Sequence, residues 1–139
     1  MIRMFNINLD RVSQAYFVVF QGQRQHEDEA ILKAQTFIEA NYHLPITVEQ
    51  IAEQTNISKR NFIRRFKSAT QNTPLEYLQR VKVESAKKAL EKNAYDVSSI
   101  VYNAGYNDLK TFRKVFKQIT GLTPQDYRKK YSRDGVAVR

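Results

Sequence analysis

The chain resembles itself, and this constrains its fold more than any other feature. Shifted by 50 residues, 59–81 falls on 109–131 with seven identities in 23 pairs. Phe62 meets Phe112, Phe66 meets Phe116, Lys67 meets Lys117 and Thr70 meets Thr120. Thr73, Pro74 and Tyr77 meet Thr123, Pro124 and Tyr127. Composition alone gives roughly one or two identities over such a span. Other pairs keep their charge: Arg60/Lys110, Arg64/Lys114, Glu76/Asp126 and Arg80/Lys130. Upstream the offset becomes 49, so that Ile51 meets Ile100 and Ser58 meets Asn107. One structural unit therefore occurs twice. A chain of 139 residues has room for one domain or two very small ones.

The units read as helical. Thr47-Val48-Glu49-Gln50 and Thr73-Pro74-Leu75-Glu76 fit capping boxes, and Thr123-Pro124-Gln125-Asp126 repeats the second with Asp for Glu. Ser58 and Asp96 can each cap the segment that follows. Gly105, with Asn56 in the equivalent place, can take the left-handed conformation that ends one helix before a tight turn. These signals predict seven helices, at about 28–41, 48–55, 59–69, 74–92, 97–104, 108–120 and 124–131. The expected class is all-α, with two helix-turn-helix subdomains, homeodomain-like three-helix units, at 47–69 and 96–120. A long linker helix over 74–92 joins them. Its apolar residues Leu75, Leu78, Val81, Ala86, Ala89 and Leu90 broadly follow helical spacing, so one side is expected to pack on both units. Residues 1–26 show no clean period and read as a linker or the remnant of an upstream domain. The tail 132–139 is expected to be disordered.

Helical spacing separates the inside of the repeated unit from its outside. In 59–69, Phe62 and Phe66 face the core with Ala69 behind them, leaving Arg60, Asn61, Ile63, Arg64 and Lys67 on or near the outer side. In 108–120, Phe112, Val115, Phe116 and Ile119 form the inner stripe, leaving Lys110, Thr111, Arg113, Lys114 and Lys117 outside. Arg and Lys can donate to guanine O6 and N7, Asn can pair with adenine, and Ile63 or Thr111 can touch a thymine methyl. A helix-turn-helix places its second helix in the major groove. Two such units on one linker would reach two successive grooves of double-stranded DNA. Helix starts at Thr47, Ser58, Thr73 and Thr123 are candidate phosphate contacts, and ordinary capping explains the same residues. Arg65 stands where the second unit has Val115, and its stem can lie over the core edge with its head in solvent. Lys87, Lys88 and Lys92 read as a solvated face. The run Arg128-Lys129-Lys130 fits phosphate contact and plain solvation equally.

Charge agrees with a polyanionic partner. Residues 47–131 carry 17 Lys/Arg against 8 Asp/Glu, whereas 1–46 carry 4 against 5. Such a segment can release counterions from DNA; a solvated basic face fits the charge alone equally well. There is no cysteine, and His26 and His43 have no second ligand at metal spacing, so no metal or cofactor is expected. The acids beside His26 (Glu27, Asp28 and Glu29) read as the favourable negative start of a helix. With no cysteine nucleophile and no Gly-rich phosphate loop, an enzyme is not expected. No apolar run is long enough to span a bilayer and no signal peptide is visible, so the expectation is a cytoplasmic, nucleoid-associated protein without a membrane partner. Without coiled-coil heptads it reads as a monomer or weak dimer. The alternative is a helical protein-interaction or RNA-binding module; RNA readers offer exposed aromatics, and here the four Phe fall at core spacing.

The residues also match a known family. Ile51-Ala52 with Ser58 to Lys67 resembles the first helix-turn-helix of AraC/XylS transcription regulators. Ile100, Ala104-Gly105-Tyr106, Phe112 to Lys117 and Thr120 to Arg128 resemble the signature of the second. The resemblance covers 28–131. It implies a seven-helix, two-lobed DNA-binding domain that regulates transcription, with RNA polymerase as a further partner if it activates. It implies that positions 60, 63 and 64, and 110, 111, 113 and 114, face bases or the nearby backbone. Ile63 departs from the polar residue often found there. Arg64-Arg65-Phe66, the stretch Thr73 to Gln79, and Gly22 to His26 resemble the subgroup with a PfpI-like N-terminal sensor domain, which would make 1–26 the end of that domain or a linker.

Overall fold

Each helix starts where a side-chain oxygen can take an orphan backbone N–H. The computed structural model describes residues 26–92 and 95–132, which hold seven helices: α1 Glu29–Asn41, α2 Val48–Glu53, α3 Lys59–Thr70, α4 Pro74–Lys92, α5 Val97–Asn103, α6 Leu109–Thr120 and α7 Pro124–Tyr131. The expectations for 1–25 and 133–139 lie outside the described residues. Asp28, Thr47, Ser58, Asp96, Asp108 and Thr123 are N-caps, each accepting from the N–H three residues on. The boxes at Thr47–Gln50 and Thr73–Glu76 are closed in both directions.

Helix ends differ slightly from expectation, with local causes. Asp108 is extended and caps α6, so the helix begins at Leu109, and Ser58 pairs with Asp108 rather than Asn107. α2 stops at Glu53, because Thr55 returns its hydroxyl to the Ala52 carbonyl at 2.6 Å before the turn. Asn56 and Gly105 have φ of 60° and 94°, the left-handed turns expected of them. Two further left-handed positions, Gln71 (φ 69°) and Gly121 (φ 84°), close α3 and α6.

The chain forms two units, one ending at Val81 and the other starting at Lys82. The first core holds Ile31, Ala34 and Ile38 of α1, Ile51 and Ala52 of α2, Phe62 and Phe66 of α3, and Tyr77, Leu78 and Val81 of α4. The second holds Val83, Ala86 and Leu90 of α4, Ile100, Val101 and Ala104 at α5, Tyr106, Phe112 and Phe116, and Tyr127 of α7. Each core has the same aromatic chain. Phe62, Phe66 and Tyr77 follow one another at 5.5 Å between centroids, and Phe112, Phe116 and Tyr127 at 5.4 and 5.6 Å. Such contacts are worth roughly 0.5–1.5 kcal/mol each beyond area burial.

The long helix corrects the expectation of one shared apolar side. Leu75 is 53% exposed, and α4 changes cores between Val81 and Val83. A step of two residues turns about 200° around a helix, so Val83 leaves the first stripe. The duplication also reaches further than the sequence match. Tyr77 donates its hydroxyl to Glu39 of α1, and Tyr127 donates to Glu91 of α4 at 2.5 Å. Ile31, Ala34, Ile38 and Glu39 thus have counterparts in Val83, Ala86, Leu90 and Glu91, at an offset of 52. α4 is the last helix of one unit fused to the first helix of the next.

Candidate nucleic-acid interface

In the first helix-turn-helix, α2 and α3 flank the turn at Asn56, and Phe62 and Phe66 are fully buried. That burial leaves Arg60, Asn61, Arg64 and Lys67 exposed along the far side of α3. Arg64 donates to the Asn61 side-chain oxygen at 3.2 Å, which aligns two groups suited to base edges. Ile63 is half-buried and packs against the edge of the first core. An apolar side chain beside an open core edge gains more by covering it than by facing water.

In the second, Gly105 makes the turn and Asp108 accepts from Thr111 N–H at 2.7 Å. The Thr111 hydroxyl also donates to Asp108, at 3.1 Å. This holds the Asp108 carboxyl below its ordinary range, the backbone bond being the larger cause. Lys110, Arg113, Lys114 and Lys117 are all exposed. Their i, i+3, i+4, i+7 spacing puts them on one stripe.

The hydroxyls of Thr47, Ser58, Thr73 and Thr123 each accept an N–H of their own helix, at 3.1–3.3 Å. The structure thus gives all four a capping role. Several basic residues have partners that sequence reasoning missed, three of them within or against a core. Arg65 lies on Asp28, with bonds of 2.8 and 3.2 Å, and this pairing holds the Asp28 carboxyl below its ordinary range. Lys87 is not a solvated residue but pairs with buried Glu84 at 2.8 Å. Arg128 donates to the carbonyls of Leu90 and Tyr95 at 3.2 and 2.6 Å, tying α7 to the end of α4, while Lys129 and Lys130 stay exposed. Separations of 37 and 38 residues leave no local pattern for Asp28–Arg65 or Arg128–Leu90; the Arg65/Val115 mismatch was the one available signal.

The described residues hold no cluster of three or more His, Asp or Glu placed for a metal ion, and no helix among them is long and apolar enough to cross a membrane. Burial pushes the Tyr106 and Tyr127 phenols up and the Lys82 ammonium down, all against the second core. These are properties of packing: Lys82 lies 4.9 Å over the Tyr106 ring.

Residues 51–130 match the family model described as a helix-turn-helix domain. The chain is 27% identical over 129 residues to a putative AraC-like transcription regulator of Streptomyces antibioticus, covering 93% of this chain and 42% of that protein. It is 31% identical over 114 residues to the lactose operon transcription activator of Staphylococcus xylosus, covering 82% and 41%. The chain therefore spans less than half the length of these two relatives. Among solved structures, the DNA-binding domain of the global transcriptional factor AdpA, in complex with a target DNA, superposes with a TM-score of 0.69 at 29% identity. That match covers 73% of this chain and 91% of that one.

Proposed function

The chain belongs to the AraC-type helix-turn-helix family, and from that premise we propose that it binds double-stranded DNA sequence-specifically and regulates transcription. In this reading α3 and α6 are the recognition helices and enter successive major grooves. Arg60, Asn61 and Arg64 read one sub-site, with Lys67 on the backbone. Lys110, Thr111, Arg113 and Lys114 read the other, with Lys117 on the backbone.

One observation carries the proposal. Of the seven identities between the repeats, six are interior or capping residues and only Lys67/Lys117 is exposed. At the exposed positions the units differ, Arg60/Lys110, Asn61/Thr111 and Arg64/Lys114, and half-buried Ile63 stands opposite exposed Arg113. Two copies of one scaffold with different outer faces suit an asymmetric bipartite site, read without a second copy of the chain. The RNA-binding alternative is disfavoured because the four Phe that could stack bases are all fully buried. RNA polymerase would be a second partner where the regulator activates, and the protein acts in the cytoplasm, at the nucleoid.

The test begins by selecting bound sequences from a random duplex pool. Two sub-sites one helical turn apart are expected. Arg64→Ala and Lys114→Ala should then each weaken the selected site by about 1–3 kcal/mol in a mobility-shift titration, relaxing preference at different sub-sites. Unchanged affinity in both variants would refute this placement of the reading faces.

A further inference from the structure

Resting on the DNA-binding reading, we propose that the second unit supplies the larger and more salt-dependent share of the sequence-independent grip on DNA phosphates, and the first unit the smaller share. Residues 26–81 carry seven Lys/Arg and seven Asp/Glu, net zero. Residues 82–132 carry eleven against five, net +6. Beyond a few ångströms a duplex senses net charge. The family fold is duplicated here, but its positive field is not.

Side-chain pairing sharpens the asymmetry. Three of the five cations on α3 touch acids of their own unit: Lys59 with Glu49 at 2.6 Å, Arg65 with Asp28 at 2.8 Å and Lys67 with Glu76 at 3.9 Å. The α6 stripe of Lys110, Arg113, Lys114 and Lys117 forms no ion pair among the described residues. Four of the five acids of this unit are occupied elsewhere. Glu84 is buried against Lys87 and Glu91 holds the Tyr127 hydroxyl. Asp96 and Asp108 cap helices, and Asp126, which stands where the first unit has Glu76, forms no ion pair among the described residues. The stripe also has one more cation, since Arg113 stands where α3 has half-buried Ile63.

The thermodynamic consequence is specific. A lysine paired with its own carboxylate takes up a phosphate only by releasing that carboxylate, which then gathers a cation from solution. Net counterion release approaches zero. An unpaired lysine releases about 0.9 of a counterion per phosphate, and that number sets the salt slope. Lys67 and Lys117 occupy equivalent positions and should therefore behave differently.

The experiment measures fluorescence anisotropy of the whole chain on a random-sequence duplex and on the selected site across a salt series. On the random-sequence duplex, where no bases are read and the whole stripe lies on phosphates, substituting Gln at Lys110, Arg113, Lys114 and Lys117 should lower the slope of log K against log salt by about 3–4. Gln at Arg60, Arg64 and Lys67 should lower it by less than about 2. Lys117→Gln alone should remove about one unit of slope and Lys67→Gln clearly less. Glu76→Gln, which keeps the capping box, should raise the slope. All these sites are exposed, and thermal melting checks that each variant is folded. Equal slope losses from the two helices, or equal effects of Lys67→Gln and Lys117→Gln, would overturn the proposal. Absence of any preference for the selected site in the parent chain would overturn the sequence-specific reading instead, leaving the slope comparison intact.

Discussion

The Asp28–Arg65 pair offers a quantitative test of what holds α3 in place. Asp28 has two roles, capping α1 through Ile31 N–H at 3.3 Å and receiving the Arg65 guanidinium in a bidentate bond. Asp28→Asn keeps the cap, because Asn is an equally good N-cap, and removes the ion pair. The side chains are 23% and 40% exposed. Exposed pairs contribute about 0.2–1 kcal/mol, and the bidentate, partly covered geometry puts this one near 1 kcal/mol. A cycle of Asp28→Asn, Arg65→Gln and the double variant should give that coupling energy by urea unfolding. It corresponds to a midpoint shift of roughly 0.3–1 M at typical urea slopes. Asp28→Ala loses the cap as well and should cost about 2 kcal/mol in all. The folded Asp28 carboxyl titrates below its ordinary value of 3.8. Its contribution is therefore complete above that pH and is lost as pH falls through the lower folded value. The gap between parent and Asp28→Asn should accordingly close below pH 3.8. A coupling energy of zero, or a gap that does not depend on pH, would refute the reasoning.

The duplicated architecture supplies internal controls for two further predictions. Tyr77→Phe removes the donor to Glu39, which is 8% exposed, whereas Tyr127→Phe removes the donor to half-buried Glu91; the first should cost about 2–3 kcal/mol and the second about 1 kcal/mol in urea melts. Gln71 and Gly121 hold the same left-handed cap, and nothing lies within 4 Å of a Cβ added at Gly121. Gln71→Gly should therefore stabilise the first unit by up to about 1 kcal/mol, and Gly121→Gln should destabilise the second by a similar amount, on conformational grounds alone.

All seven helices were legible because their punctuation is local. Thr47, Thr73, Thr123, Ser58 and Asp96 name their roles within three residues, and Asn56 and Gly105 mark both turns. The inner and outer sides of α3 and α6 followed from the Phe spacing, and Ile63, whose period sets it between core and solvent, is half-buried. Partners far apart in sequence escaped. Nothing near Arg65 announces Asp28, and nothing near Arg128 announces the Leu90 and Tyr95 carbonyls. The first helix of the repeat escaped too. Its alignment with 82–92 at offset 52 leaves Ala34/Ala86 and Glu39/Glu91 as identities, too few to stand out before the Tyr–Glu bonds bring them together.

The fusion within α4 explains why the repeat is exact in some places and loose in others. Pro74 to Val81 corresponds to Pro124 to Tyr131 at offset 50, and Val83 to Glu91 corresponds to Ile31 to Glu39 at offset 52. In α7 the helix stops after Tyr131, at Ser132. At the equivalent point of α4, Lys82 continues it. Each half of α4 must satisfy a different core, so its residues answer to two sets of neighbours. Within α3 and α6 the demands are the same in both units, and there Phe, Phe and Thr recur unchanged, with the same Thr-Pro start to the helix that follows. The outward positions meet no common demand from the fold, which leaves charge free to concentrate in one copy. A scaffold that keeps its interior twice while varying its surface can hold two different stretches of a ligand with one chain.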